Sequence, residues 1–139
     1  MNRLRLLALA LAVTAVACSN SNSTTTTTTA PTTTTSNEYT GTLTQNGAAT
    51  YPFAVLASGR IAATIVSLSP DSTVLVGFGI GVWDGAACDA SPGIWQDKAT
   101  QGSSVIGTVT QSGSLCVRIY DSQGTLTEPT DYDIQVTHP

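Results

Sequence analysis

The sequence has little of what catalysis and nucleic-acid binding require. Its 139 residues include a single histidine, His138, and only five Lys and Arg residues against nine Asp and Glu residues. It has no Gly-x-Ser-x-Gly motif, and a lone histidine at a strand end is more typical of the surface than of a catalytic base. A net charge of −4 at pH 7 provides no basic patch for nucleic acid. We therefore predict neither an enzyme nor a nucleic-acid partner.

The first residues have the layout of an export signal. Residues 1–17 carry Arg3 and Arg5 before an apolar run that is too short to span a bilayer comfortably. This arrangement is typical of a signal peptide. The stretch "TAVAC" resembles the lipobox of bacterial lipoproteins, with Ala15 where leucine is usual, which implies that Cys18 is lipidated. The alternative is an ordinary secretory signal that leaves Cys18 as a free thiol.

A threonine-rich segment, residues 18–37, follows. It has no apolar period and cannot bury a core, so we expect a disordered tether, either a plain spacer or one that is O-glycosylated. The acidic chain would be repelled by anionic lipid headgroups, so the predicted contact with the bilayer is acylated Cys18. The expected location is the bacterial cell membrane or outer membrane, facing the periplasm or the cell surface.

The cysteine count supports export. Lipidation of Cys18 leaves Cys88 and Cys116 as one pair, and disulfides persist outside the cytoplasm. In the chain-entropy account, closing this loop stabilises the folded state by about 3–4 kcal/mol. The alternative is a metal site, but two cysteines and one distant His138 make a poor ligand cluster.

Residues 38–139 form short segments of alternating apolar and polar residues, separated by turn residues. Asn46 and Gly47 mark one turn, and Pro52 indicates an edge strand or a bulge. No amphipathic helix pattern occurs, so we predict an all-β antiparallel sandwich of about seven to eight strands. The predicted strands are "EYTGTLT", "ATYPFAV", "RIAATIVSL", "VLVGFGIGVW", "SVIGTVT", "SLCVRIYD" and "DYDIQVT", the third of them central.

Within "VLVGFGIGVW", Gly77, Gly79 and Gly81 recur at every second position. A dinucleotide fingerprint would need a glycine at position 82, and a phosphate loop would need Gly-Lys-Ser/Thr, so neither motif fits. The alternation instead predicts a strand with an apolar ridge on one face and these three glycines, the glycine stripe, on the other. Because strand glycines accompany close approach, we expect a neighbouring aromatic ring, Trp83 or a ligand to lie on the stripe.

Residues 84–98 are predicted to form a long loop that Cys88 pins to the outer face of a sheet. The alternation of "SLCVRIYD" places Cys116 on that outward face. Trp83 and Trp95 bracket the stretch "WDGAACDASPGIW", which contains Cys88. They form either a platform for a sugar ring or a partner's side chain, or half-buried covers over the glycine stripe.

Acidic residues of the same loop offer a candidate calcium site. Asp84, Asp89 and Asp97 would supply some of the six to eight oxygen ligands that calcium takes, or would cap turns through their own backbone. Asp131 and Asp133 share the outward face of the last strand, where solvated carboxylates are more typical than a glycosidase pair. We predict no cofactor, with calcium as the alternative.

Three stretches together show the order of strands and turns of a known family: "YTGTLTQNGAATYPFAVLASGRIAATIVSL", "LCVRIYDSQG" and "YDIQVTHP". Over residues 38–138 they resemble the bacterial pre-peptidase C-terminal domain, through strand pattern rather than a catalytic signature. The resemblance implies a jelly-roll-like β-sandwich, which in that family usually accompanies secreted enzymes, often peptidases. These 139 residues show no enzyme domain, so that role does not transfer.

Together the observations predict a membrane-anchored lipoprotein of the cell envelope. Its β-sandwich would be a non-catalytic module that binds carbohydrate, cell wall or a protein. The alternative is a structural lipoprotein that assembles with envelope proteins and takes no small ligand. A third interpretation is a small hydrolase that uses the loop aspartates.

Overall fold

The protein folds as two four-stranded antiparallel sheets. The computed structural model describes residues 33–139. One sheet has the strand order β1-β8-β3-β6 and the other β2-β7-β4-β5, the arrangement of an eight-stranded jelly roll, so the predicted fold class is confirmed. The strands are β1 Thr35–Leu43, β2 Ala48–Val55, β3 Gly59–Ser69, β4 Val76–Trp83, β5 Cys88–Ala99, β6 Ser104–Val109, β7 Gly113–Tyr120 and β8 Thr130–His138.

Strand β1 begins before the predicted start of the domain. Its first residue is Thr35, whereas the sequence pattern placed the boundary at Glu38. The predicted signal peptide, Cys18 and the tether up to residue 32 lie outside the described residues. Within residues 33–139, no helix has the length and apolar character needed to cross a membrane.

Side chains that point between the sheets form the core. Alternate residues of β7 and β8, including Val117, Ile119, Ile134 and Val136, are fully buried, as the period of two predicts. Phe78 of β4 fills the same layer and is also fully buried. With the interior packed in this way, the outer faces and the ends of the sandwich are the surfaces available for binding.

Two positional predictions are confirmed. Strand β2, which contains Pro52, lies at the edge of its sheet and pairs only with β7. An edge position tolerates proline because the missing N–H is not needed by a second neighbour. Strand β3, whose sequence is apolar on both faces, lies between β8 and β6.

The prediction of a long loop over residues 84–98 is wrong, because residues 88–99 form strand β5. This strand lies at a sheet edge, pairs only with β4, and leaves most of its side chains exposed. Its register against β4 shifts twice, and one shift lies between Ile80 and Val82. An exposed and irregular edge strand has no apolar alternation, which explains why the sequence pattern did not reveal it.

The interpretation of His138 as a surface residue is also wrong. Its side chain is only 4% exposed, and its ring lies 5.1 Å from that of Phe53. The ring nitrogen Nδ1 is 3.1 Å from the carbonyl of Pro139, and Nε2 is 3.3 Å from the Asn37 amide. The last residue of β8 therefore belongs to the packed interior rather than to an open site.

Candidate functional site

The glycine stripe is covered by the protein's own aromatic rings. A Cβ atom on Gly77 would overlap the ring of Tyr120, and one on Gly79 would lie 2.6 Å from Cδ2 of Trp95. Tyr120 comes from β7 and Trp95 from β5, the two strands that flank β4. Of the occupants considered for the stripe, the structure therefore shows aromatic rings from neighbouring strands. Trp95 is half-buried, as expected of a cover.

At Gly81 the backbone of β5 crosses the outer face of β4. A Cβ atom on Gly81 would overlap the carbonyl oxygen of Asp89. The neighbouring Cys88 forms the predicted disulfide with Cys116, which lies on β7 and pairs with Gly81 of β4. Cys116 lies on the outer face as predicted, yet it is fully buried, because this crossing covers it.

Tyr120, Trp95 and Arg118 form a cluster on the outer face. The rings of Tyr120 and Trp95 have centroids 6.2 Å apart, and the Arg118 guanidinium carbon lies 5.4 Å from the Tyr120 centroid. The Tyr120 hydroxyl donates a 2.7 Å hydrogen bond to Asp97. Burial, reinforced by this bond and by the charge of Asp97, raises the pKa of Tyr120 to about 12. The Nε atom of Arg118 is buried and has no hydrogen-bond partner.

The three aspartates of the candidate calcium site do not come together. Among residues 33–139, no group of three or more His, Cys, Asp and Glu side chains is placed to hold a metal ion. Asp84 instead accepts hydrogen bonds from the backbone N–H groups of Ala86 and Ala87, which lower the pKa of its carboxyl group. It thus caps its own turn, the alternative that the sequence left open, while Asp97 accepts from Tyr120.

The two acids on the outer face of β8 lie in different surroundings. Asp131 is exposed and accepts a 2.6 Å hydrogen bond from the Thr42 hydroxyl on β1. Asp133 is partly buried, and its Oδ1 atom has no hydrogen-bond partner. Both side chains point outward from the sheet, as the alternation predicted, and Tyr132 between them is buried in the core.

An open cleft of about 760 Å³ lies at one end of the sandwich. It is lined by residues near the ends of β4 and β6 and the starts of β3 and β7, together with the β6–β7 turn. Apolar side chains of Ile61, Ile80 and Leu115 line it, as does Trp83. Its polar lining consists of hydroxyl and amide side chains, namely Thr108, Thr110, Gln111, Ser112 and Ser114, and no Asp, Glu, Lys, Arg or His of residues 33–139 contributes.

The bulge in β5 shapes one side of this cleft. Ile80 pairs with Ile94 and Val82 with Asp89, so residues 90–93 of β5 have no paired partner on β4. Pro92 and Gly93 of this bulge line the cleft. A regular β5 ladder would run straight along β4, whereas the bulge turns the backbone away from it.

Only part of the cleft lining was predicted from the sequence as ligand-binding. Trp83 was predicted as a binding residue and lines the cleft, and Gly81 borders both the cleft and the glycine stripe. Trp95, Gly77 and Gly79 are not among the lining residues. Gln111 and Ser112 were missed because their turn becomes part of a site only when β6, β7 and β4 pack together. Their one sequence signal is a polar turn between two predicted strands.

No family model matches this chain, and no curated protein matches it in sequence.

Proposed function

We propose that the protein is a lipid-anchored lipoprotein of the bacterial cell envelope whose β-sandwich is a non-catalytic, carbohydrate-binding module. The observation that carries the proposal is the uncharged cleft with Trp83 in its lining. Its volume falls within the range of ligand sites, about 300–1,000 Å³. Such sites combine apolar and aromatic surface with a few polar groups that orient the ligand.

The chemistry of the lining favours a sugar. One face of a pyranose ring presents C–H groups, which pack against an indole such as that of Trp83. The sugar hydroxyls then find partners in side chains such as Gln111 and Ser112, so their desolvation is offset. A charged ligand would lose its hydration in this cleft without gaining an opposite charge.

The placement of the ionisable groups supports a binding role rather than hydrolysis. His138 is buried against Phe53, and its ring nitrogens face Asn37 and Pro139. The loop aspartates are engaged separately, Asp84 by its own turn and Asp97 by Tyr120.

The binding proposal is tested by retention of the full chain, extracted in detergent, on insoluble polysaccharides and bacterial cell-wall fractions. Wild-type protein is expected to be retained, and Trp83→Ala is expected to lose at least tenfold in retention. Leu56→Ala is the matched control, since Leu56 is 84% exposed and lies outside the cleft.

Circular dichroism and the thermal midpoint show whether each variant is folded. If folded wild-type protein is retained on no matrix, the carbohydrate proposal fails, and assembly with envelope proteins becomes the better explanation. Equal retention of wild type and a folded Trp83→Ala variant would exclude the cleft as the site.

The lipid anchor is tested separately, since it rests on residues 1–18 of the sequence. Metabolic labelling with a palmitate analogue is expected to mark wild-type protein and not Cys18→Ser, which should leave the membrane fraction. Cys88→Ser is the matched control, because it also removes one cysteine but keeps the lipidation site. Unchanged labelling of Cys18→Ser would refute the anchor without affecting the binding proposal.

A further inference from the structure

Trp95 packs against the segment of β5 that lines the cleft. Its indole Nε1 donates a 2.9 Å hydrogen bond to the carbonyl of Ala90, the first residue of the bulge. A Cβ atom on Gly93 would lie 2.5 Å from the same Nε1 atom, and Gly93 itself lines the cleft. The Trp95 surface and the cleft are therefore separated only by the bulge of residues 90–93.

We propose that the cleft and Trp95 form one extended site, and that its ligand is a chain of several uncharged sugar units rather than a single sugar. This inference rests on the proposed function, because it presupposes that the cleft binds carbohydrate. Trp83 contacts the unit inside the cleft. Trp95 contacts a unit that has passed over the bulge onto the outer face.

The shape of the site favours a chain. The cleft is open to solvent rather than enclosed, so a ligand longer than one sugar unit can extend out of it. Its volume of about 760 Å³ lies near the upper part of the range for small-ligand sites and exceeds what one sugar ring fills. Trp95 is half-buried, so part of its indole remains available to a further unit.

Charge along the path is balanced or absent. The cleft lining contains no ionisable side chain. Outside the bulge, strand β5 carries Asp89, Asp97 and Lys98, and Arg118 lies on β7, so charges of both signs are present in equal number. Asp97 accepts a hydrogen bond from the Tyr120 hydroxyl, and the Arg118 guanidinium lies over the Tyr120 ring. A uniformly anionic or cationic chain would find no surface of opposite charge along the cleft and the bulge to offset its lost hydration. A neutral chain loses no such hydration of charged groups.

The test is a length series of neutral oligosaccharides, titrated calorimetrically against the full chain in detergent. The probes are cello-, manno-, laminari- and chito-oligosaccharides of two and six units, with oligogalacturonate as the charged comparison. We expect the hexamer of at least one neutral series to bind at least tenfold more tightly than its dimer. Oligogalacturonate is expected to bind more weakly than that hexamer.

Trp95→Leu separates the two parts of the site, since leucine still covers Gly79 with apolar surface. It is expected to weaken hexamer binding about five- to tenfold and dimer binding by about twofold at most, because the lost indole hydrogen bond to Ala90 also affects one side of the cleft. Tyr120→Phe, which keeps the neighbouring ring, is the matched control and should bind both probes like wild type.

Each other result overturns the inference in an identifiable way. Equal affinities for dimer and hexamer, or unaltered hexamer binding by folded Trp95→Leu, would restrict the site to the cleft and leave the proposed function standing. Tighter binding of oligogalacturonate would refute the assignment of a neutral chain. If Trp83→Ala also left all binding unchanged, the proposed function itself would fail.

Discussion

The glycine stripe and the cleft lie on the same strand, β4, and differ in what occupies them. Over Gly77 and Gly79 the space left by missing side chains is filled by the rings of Tyr120 and Trp95. Around Ile80 and Val82 the bulge in β5 leaves space that no side chain of residues 33–139 fills. The difference indicates that glycine in this strand serves the protein's own packing, whereas the cleft, the proposed binding surface, lies where strand pairing is interrupted.

Residues of the glycine stripe and residues of the cleft should respond differently to substitution. Changes on the stripe should lower the stability of the domain, because rings and backbone already occupy the space. On the proposed function, changes among the polar residues of the cleft should lower affinity and leave stability nearly unchanged, because their side chains are exposed. The four predictions below test this separation, beginning with the largest effect.

Removal of the disulfide with Cys88→Ser and Cys116→Ser should lower the free energy of unfolding by about 3–4 kcal/mol, the loop-closure value for cysteines this far apart. The disulfide holds the start of β5 against the stripe at Gly81, so its loss should loosen that crossing first. Urea denaturation of the double variant against wild type measures the change. An unchanged midpoint would show that the crossing is held by other contacts.

Gly81→Ala should destabilise the domain by about 2–3 kcal/mol, since the new methyl group would overlap the backbone carbonyl of Asp89, which cannot rotate aside. Gly113→Ala is the matched control. It also adds one methyl group to a strand, but a Cβ there meets nothing within 4 Å. Thermal denaturation should leave the control within about 0.5 kcal/mol of wild type. Equal midpoints for the two variants would contradict the close approach at Gly81.

Alkaline pH should release the ring that covers Gly77. The pKa of Tyr120 is raised from 10.0 to about 12, so the folded state holds the phenol proton more tightly than the unfolded state. Its contribution to stability is therefore present below about pH 10 and is lost as the pH rises toward 12. Denaturation midpoints measured across this range should fall for wild type.

Tyr120→Phe has no phenol to ionise, so its midpoint should fall less over the same range. Some slope should remain, because burial and the hydrogen bond between its hydroxyl and that of Tyr51 also raise the pKa of Tyr132. Identical slopes for the two proteins would mean that Tyr120 is not held against β4 as described.

Gln111→Ala should have the smallest effect on stability, within about 0.5 kcal/mol, because Gln111 is exposed in the β6–β7 turn. On the proposed function, it should nevertheless weaken retention on polysaccharide severalfold, since it removes one hydrogen-bonding group from the cleft. Gln123→Ala serves as the control for a lost glutamine side chain, because Gln123 is exposed in the turn after β7 and does not line the cleft. If Gln111→Ala lowered stability and left retention unchanged, Gln111 would serve packing rather than binding.

The sequence predicted the features that repeat with a period of two and missed those that depend on packing between distant strands. The alternation in "DYDIQVT" indicated which residues of β8 are buried, and Pro52 indicated an edge. Strand β5 has no such period, since it is paired on one side only and carries Pro92 and Gly93 in its bulge. The burial of His138 depends on Phe53 of another strand, which no local pattern reveals.

The candidate site was predictable only in its aromatic residues. Trp83 and Trp95 were identified from their rarity and from their positions on either side of Cys88. The sequence could not show that Trp83 lines the cleft and Trp95 covers the glycine stripe, because these positions depend on how β5 crosses β4. Gln111 gave no chemical signal, as a glutamine in a turn is ordinary until the opposite wall of a cleft is known.

The register of β1 has a mechanical consequence for the proposed membrane anchor, which would pull on the chain ahead of Thr35. Ile61 of the cleft is next to Ala62, which pairs with Thr137, and Thr137 pairs in turn with Ser36. The chain thus enters at the same end of the sandwich as the cleft. On the proposed function, tension between the ligand and the membrane anchor would be applied at this one end of β3, β8 and β1. Because both loads act at the end where Thr35 pairs with His138, the nine pairs of β1 with β8 would peel apart one at a time from that end, instead of sharing the load in shear.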